Sequence, residues 1–148
     1  MSASRQQQLL QILAQDIGED CRAYHQLSEH MVALHELLMR RDSAAIEALN
    51  AQIETLIEVC QSRAVRRSKA LAALNLGAGD AAMQALLARY REPLRSKLMQ
   101  AWQQLGEQAA QCKAQNLRNG HLLAMQHEIL QQVTREPREQ HLYVASAY

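Results

Sequence analysis

Apolar residues recur every seven positions along the first forty residues of the chain. One position of this repeat is held by Leu10, Ile17, Tyr24, Met31 and Leu38. A second position is held by Leu13, Leu27 and Leu34. Asp20 is its single interruption. Two apolar positions per heptad over four heptads predict a long helix that packs against a partner helix as in a coiled coil.

The composition predicts an all-α fold. Aromatic residues make up only 3% of the chain and phenylalanine is absent, so the core must be built from Leu, Ile, Ala and Met, which favour helices over sheets. With 5 glycines and 2 prolines, turn signals are scarce and the elements should be few and long. The length of 148 residues predicts one domain, residues 1–148.

The expected helices span residues of about 4–41, 43–75, 80–90 and 93–135, followed by a polar tail at 136–148. Ser4, with Gln7 three residues later, resembles a capping box at the start of the first helix. Either Asp42 or Ser43 is expected to cap the second helix after a very short turn, which predicts an antiparallel hairpin. The apolar stripe of that helix comprises Ile46, Leu49, Ile53, Leu56, Cys60, Ala70 and Leu74.

Glycines and a proline mark the later boundaries. Gly77 and Gly79 are expected to end the second helix, and Asp80 is placed to cap a short one. Pro93 either kinks the following segment or occupies the first turn of the last helix. The predicted fold is an elongated antiparallel bundle of three long helices: a coiled-coil-like hairpin and a long C-terminal helix, with one short helix between them.

The last long helix carries amides where a core-facing helix should be apolar. Its seven-residue grid comprises Leu94, Leu98, Ala101, Leu105, Gln108, Cys112, Gln115, Asn119, Leu122, Gln126, Ile129 and Val133. Four of these positions are amides, and a buried amide without partners costs roughly 1–3 kcal/mol. Either the amides pair among themselves, or this face is not permanently buried.

The same helix also has a wide apolar face. At about 100° per residue, its apolar residues from Leu122 to Val133 spread over roughly 160°, more than one helical neighbour covers. Candidate third packing partners are a second copy, the rest of this chain, or a helix of another protein. A helix packed between two others in its own bundle would show the same pattern, and a buried Asn often only fixes register.

Other functional classes lack support in the sequence. Net charge is +1 with both signs interspersed, which gives no basis for nucleic-acid or membrane-surface binding. His25, His30 and His35 are each turned about 140° from the last, so they do not converge on a metal. The run containing Arg63, Arg66 and Arg67 is interpreted as an exposed helix face. No catalytic, cofactor or metal residues are predicted, and the protein is not expected to be an enzyme.

The compartment is inferred from similar absences. The N-terminus lacks the features of a signal peptide, and no apolar run is long enough for a membrane span. Three widely spaced cysteines fit reduced thiols, and Cys60 and Cys112 lie on apolar stripes as small core residues. We therefore expect a cytoplasmic protein without membrane insertion.

The segment Asn116 to Leu123 resembles the signature of a known family. FlgN-type flagellar export chaperones carry Asn-x-x-Asn-Gly-x-Leu-Leu in a long C-terminal helix, matched here by Asn116, Asn119, Gly120, Leu122 and Leu123. The layout of a long hairpin, a glycine-containing break, a long helix and a short tail is similar as well. The family's tail contains Leu-Tyr-Gly, matched by Leu142 and Tyr143, whereas Val144 replaces the glycine.

This resemblance implies a cytoplasmic chaperone of flagellar type III export. Such proteins bind the C-terminal helical segments of the hook–filament junction proteins and prevent their premature assembly. They deliver this cargo to the cytoplasmic domain of the export gate. By the same resemblance, Leu142 and Tyr143 are the export-gate docking residues.

A cargo helix laid against the wide apolar face would be helix-in-groove recognition. The expected cargo-binding residues are Asn116, Asn119, Gly120, Leu122, Leu123, Gln126, Ile129, Leu130 and Val133. Before cargo binds, the segment 80–90 or a second copy could cover the groove, so a homodimer is one expected state. The alternative function is that of a structural coiled-coil adaptor that dimerises and binds no cargo.

Overall fold

The computed structural model describes the backbone of residues 2–134 and the side chains of residues 2–128. It contains α1 (Ala3–Arg40), α2 (Ser43–Ala73), α3 (Asp80–Leu87) and α4 (Leu94–Thr134). No strand is present between residues 2 and 134. The predicted all-α class is confirmed, and the predicted tail lies outside the described residues.

The helix starts show which capping predictions hold. Asp42 accepts a hydrogen bond from the Ala45 amide at 3.2 Å and caps α2, one of the two expected candidates. The prediction of Ser4 as a cap is wrong, because Ser2 accepts from the Arg5 amide and α1 begins one residue before Ser4. The prediction for Asp80 is also wrong. It is the first helical residue of α3, where its carboxylate suits the positive end of the helix dipole.

Two left-handed residues end the first two helices. Arg41 has φ 55°, and the next amide, that of Asp42, donates to the Leu37 carbonyl at 3.2 Å. Asn75 has φ 57°, and the Leu76 amide donates to the Leu71 carbonyl at 3.0 Å. The helix α2 therefore ends at Ala73, before Gly77 and Gly79, which were predicted to end it. Asn75 can end the helix because Asn tolerates the left-handed conformation better than most residues. Pro93 directly precedes α4 and does not kink a helix.

The helix α1 is the central element, with α2 and α4 packed on it. Asp16 pairs with Arg66, and Asp20 pairs with Arg63, so the α1–α2 hairpin is antiparallel. By contrast, α1 carbonyls at residues 24, 31 and 38 accept from α4 side chains at 112, 119 and 126, so α4 runs parallel to α1. Within the described chain, no Cα atom of α2 lies within 8 Å of one of α4.

The buried apolar residues form two clusters along the bundle. The α3-end core comprises Leu10, Leu13, Ile17, Ala70, Leu71, Leu74, Ala82, Met83, Leu86, Leu87, Tyr90 and Leu98. The groove-end core comprises Leu27, Met31, Leu34, Leu38, Ile53 and Cys112, with several half-buried neighbours from all three long helices. Residues from α3 occur only in the first cluster. The prediction that segment 80–90 covers the face of Asn119 is therefore wrong, because α3 packs at the other end of the bundle.

A layer of ion pairs lies beside the α3-end core, between α1 and α2. Asp20 is 1% exposed and bonds Arg63 and Arg67, while Arg66 makes two hydrogen bonds to Asp16 at 2.6 and 2.8 Å. Burial lowers the pKa of Arg63, but the hydrogen bond and charge of Asp20 outweigh it and hold the pKa above its ordinary value. The prediction of an exposed arginine face holds for Arg66, whose side chain is 54% exposed. It is wrong for Arg63 and Arg67, which are buried and half-buried, because both neutralise Asp20, the residue that interrupts the α1 apolar repeat.

Candidate functional site

Three side chains of α4, seven residues apart, donate to backbone carbonyls of α1 that are also seven apart. The Cys112 thiol lies 3.8 Å from the Tyr24 carbonyl oxygen, the Asn119 amide 3.0 Å from that of Met31, and the Gln126 amide 2.5 Å from that of Leu38. We call these three contacts the polar seam. A helical carbonyl has a second lone pair, so it accepts such a bond without losing its own helix bond. Two of the four grid amides, Asn119 and Gln126, therefore pair with the α1 backbone and not with another amide.

Asn119 is the more enclosed of the two amides in the polar seam. It is 3% exposed, and its Oδ1 lies 3.1 Å from Nδ1 of His35. Because Nδ2 donates to the Met31 carbonyl, Oδ1 is left as an acceptor, and His35 must carry a proton on Nδ1. Both polar atoms of Asn119 are thus satisfied by α1. Its face packs against the chain's own bundle.

Two other amides of the predicted grid have fewer hydrogen bonds. Gln108 and Gln115 each bury a side-chain oxygen for which the described residues supply no hydrogen-bond partner. A buried unsatisfied acceptor costs roughly 1–3 kcal/mol. The central part of the α1–α4 contact is therefore stabilised less than an apolar grid would be.

Beside the polar seam, α2 and α4 form the walls of a groove whose floor is α1. We call it the α2–α4 groove. It contains a cavity of about 40 Å³ lined by Leu34, Leu38, Ile46, Asn50, Asn116, Asn119, Gly120 and Leu123. The groove is open because the backbones of its two walls remain apart. Three helices thus present apolar side chains and amides to one small cavity.

The predicted cargo-binding residues fall into three groups in the structure. Asn116, Gly120 and Leu123 line the cavity, and Leu122 packs half-buried against the groove-end core. Asn119 lines the cavity too but is bonded to α1, as is Gln126. The side chains of Ile129, Leu130 and Val133, and the tail residues Leu142 and Tyr143, lie outside the described residues.

Part of the apolar surface at this end remains exposed. Met125 and Leu117 of α4 are each 59% exposed. On α1, Val32 is 51% and Met39 60% exposed. Of these, Met125 belongs to the predicted apolar arc of α4, whereas Leu117 lies on the opposite side of that helix.

Sequence reasoning missed the contributions of α1 and α2 to this site. Leu34 and Leu38 were recognised as core residues but not as the floor of a groove. His35 and Asn50 gave no signal, because their roles depend on the register between helices that are distant in sequence. The offset of 88 residues between the partners in the polar seam is a property of the packed bundle.

The cysteines at this end are structural. Cys60 and Cys112 are free and buried, as predicted for small core residues. Burial, together with the nearby Cys60 thiol, raises the pKa of Cys112 to about 11. A protonated thiol is a weak nucleophile at neutral pH, which suits a packing role.

Within the part of the chain that the structure describes, no three His, Cys, Asp or Glu side chains form a group that could hold a metal ion. Among its helices, none combines the length and apolar character needed to cross a membrane.

Comparison with known proteins gives one match. The model of the family described as FlgN protein matches residues 1–141. No curated protein and no solved structure matches the chain. The family match extends over all four helices and into the segment beyond them.

Proposed function

The chain belongs to the FlgN family of flagellar export chaperones, and from this premise we propose that it binds the C-terminal helical segments of the hook–filament junction proteins in the cytoplasm. Binding keeps these proteins from assembling prematurely. The chaperone then delivers them to the cytoplasmic domain of the flagellar export gate. In this role it is a binding protein and not an enzyme.

The single observation that carries this proposal is the family match over residues 1–141. The groove end of the bundle supports it, since its half-buried leucines and its cavity suit the apolar face of a helix. The exposed Met125 of α4 adds apolar surface at this end that a partner could cover. Large exposed apolar surfaces on a folded chain are typical of interaction sites.

The predicted cargo-binding residues have different proposed roles. Asn116, Gly120 and Leu123 contact cargo, because they line the open groove. Leu122 contributes from the edge of the groove-end core. Asn119 and Gln126 act as positioning residues that hold α4 in register on α1. Ile129, Leu130 and Val133 are assigned to cargo binding on the sequence pattern alone.

The tail residues Leu142 and Tyr143 are assigned to docking on the export gate. This assignment rests on the match of the Leu-Tyr pair to the family's tail element. It is independent of the α2–α4 groove.

The test is complex formation with a purified hook–filament junction protein, measured by size-exclusion chromatography with light scattering. We expect a stable complex and a loss of spontaneous polymerisation of the junction protein. The matched control is the same junction protein without its C-terminal helical segment, which should not bind. Absence of a complex with the intact protein would reject the proposal, and equal binding of the control would place recognition elsewhere on the cargo.

The alternative function, a structural adaptor that only dimerises, is supported by the exposed Val32 and Met39 on α1. It predicts a tight homodimer and no complex with the junction protein. The same light-scattering measurement gives the mass of the free chain and so distinguishes the two functions.

A further inference from the structure

The helix α2 forms the second wall of the α2–α4 groove, although the family signature lies on α4. Ile46 and Asn50 of α2 line the cavity together with Gly120 and Leu123 of α4, above Leu38 of α1. The two walls have no Cα atoms within 8 Å of each other in the described chain. A side chain from outside the protein can therefore enter between them.

The size and lining of the cavity indicate what kind of side chain it accepts. Its volume is about 40 Å³, and its apolar lining comes from Leu34, Leu38, Ile46 and Leu123. The lining also contains Asn119, which is bonded to α1, and the amides of Asn50 and Asn116. A polar group buried there would require a hydrogen bond from one of these amides, whereas an aliphatic group needs none. Gly120 has no side chain, so a partner backbone can approach the wall closely at this point. The cavity suits a single branched aliphatic side chain.

The charges beside the cavity differ between the two walls. Glu47 and Glu54 are exposed and lie three residues before and four residues after Asn50, so they share its side of α2. Between residues 43 and 62, α2 carries three glutamates and no lysine or arginine. On α4, the exposed Lys113 lies seven residues before Gly120 and shares its side of that helix. The α2 wall of the groove is thus acidic, whereas the α4 wall is not.

We propose that the cargo helix lies along the α2–α4 groove, inserts one branched aliphatic side chain into the cavity, and places lysine or arginine residues beside Glu47 and Glu54. This inference rests on the proposed function, because the occupant is the helical cargo segment. It adds α1 and α2 to the binding site. It also states the chemistry of the docking segment: an aliphatic residue with a cationic edge.

The cavity is tested by the substitution Asn50→Leu in the full-length chain. The added volume fills the cavity, and Leu favours helix more than Asn does, so the melting temperature should not fall. Fluorescence anisotropy with a labelled C-terminal segment of a junction protein should show binding weakened by about tenfold or more. The matched control is Gln52→Leu, at an exposed position two residues further along α2, which should bind as the native chain does. Unchanged affinity in the Asn50→Leu variant would overturn the assignment.

The acidic wall is tested by the double substitution Glu47→Lys and Glu54→Lys. We expect binding at low salt to weaken by about tenfold, and the difference to shrink at high salt because the pairs are exposed and screened. The control, which has the same change in net charge, is the double substitution Glu29→Lys and Glu36→Lys, at two exposed positions of α1 turned about 140–160° from Met31. Equal losses of affinity in the two double variants would show that net charge causes the effect and would contradict a cationic edge on the cargo.

The outcomes separate this inference from the proposed function. If the native chain does not bind the segment, both are overturned. If the native chain binds but neither groove variant weakens binding, only the inference fails, and cargo lies on another face of α4. A homodimer that Asn50→Leu dissociates would place a second copy in the groove. That result would overturn the inference.

Discussion

The two ends of the bundle are held together by different chemistry. At the α3 end, Leu98 and Leu105 occupy the grid of α4 and are buried, and Leu86 and Leu87 of α3 are fully enclosed. At the groove end, the same grid carries Asn119 and Gln126, which bond α1 carbonyls. Apolar contacts stabilise through buried area, whereas a net hydrogen bond contributes only about 1 kcal/mol but fixes direction and register. One end is therefore built for stability and the other for alignment of an open groove.

The strongest test of this comparison replaces one leucine at each end. Leu86→Ala removes a side chain with 0% exposure from the α3-end core and should lower the free energy of unfolding by about 2–5 kcal/mol. Leu123→Ala removes a half-buried side chain that borders the cavity and should cost less, about 1 kcal/mol. Urea unfolding followed by circular dichroism measures both. Equal losses would show that the two ends are equally well packed and would remove the contrast.

The sequence predicted the buried apolar residues of the two ends more completely than the polar contacts between helices. The heptad repeat identified Leu13, Ile17 and Leu27 as core residues because their pattern depends only on the pitch of one helix. From the sequence, Asp20 could be identified only as an interruption of the apolar repeat. Its ion pair with Arg63 could not be predicted, because the register of the hairpin brings the two residues together. A local pattern determines a helix face, but an ion pair between helices requires the packed structure.

The candidate site shows the same division. The amides of α4 and its wide apolar arc could be identified from the sequence, and Asn116, Gly120 and Leu123 do line the cavity. The partners of the amides could not be identified, because Met31 and His35 meet Asn119 only in the parallel register of α1 and α4. The sequence likewise shows the glutamates of α2, but only the packed structure shows that α2 lies across the groove from α4.

A second test uses Tyr90, an ionisable side chain that donates to the α1 backbone at the α3 end. The Tyr90 hydroxyl donates to the Leu10 carbonyl at 2.6 Å, and burial raises its pKa from 10.0 to about 12. The unfolded chain therefore loses this proton first as pH rises. The contribution to stability is complete below pH 10 and is lost as pH approaches 12, by roughly 2–3 kcal/mol.

Thermal unfolding between pH 9 and about 12 measures this effect. The control is Tyr90→Phe, which lacks the ionisable group and should show a smaller decline over the same range, although it starts from a lower stability. If the stability of the two chains declined equally between pH 9 and about 12, burial would not raise the pKa of Tyr90 as expected.

A third test concerns the polar seam at the groove end. Asn119→Ala removes the donor to the Met31 carbonyl and the partner of His35 Nδ1, and should lower the free energy of unfolding by about 1–3 kcal/mol. The matched control is Gln111→Ala, an exposed amide on the same helix, whose replacement should change stability by less than about 0.5 kcal/mol. If the polar seam aligns the groove, Asn119→Ala should also speed hydrogen exchange of α4 amides near Leu123 more than those near Leu105. Equal acceleration along α4 would mean that Asn119 stabilises the whole helix, and the division of the bundle into a stable end and an aligned end would not hold.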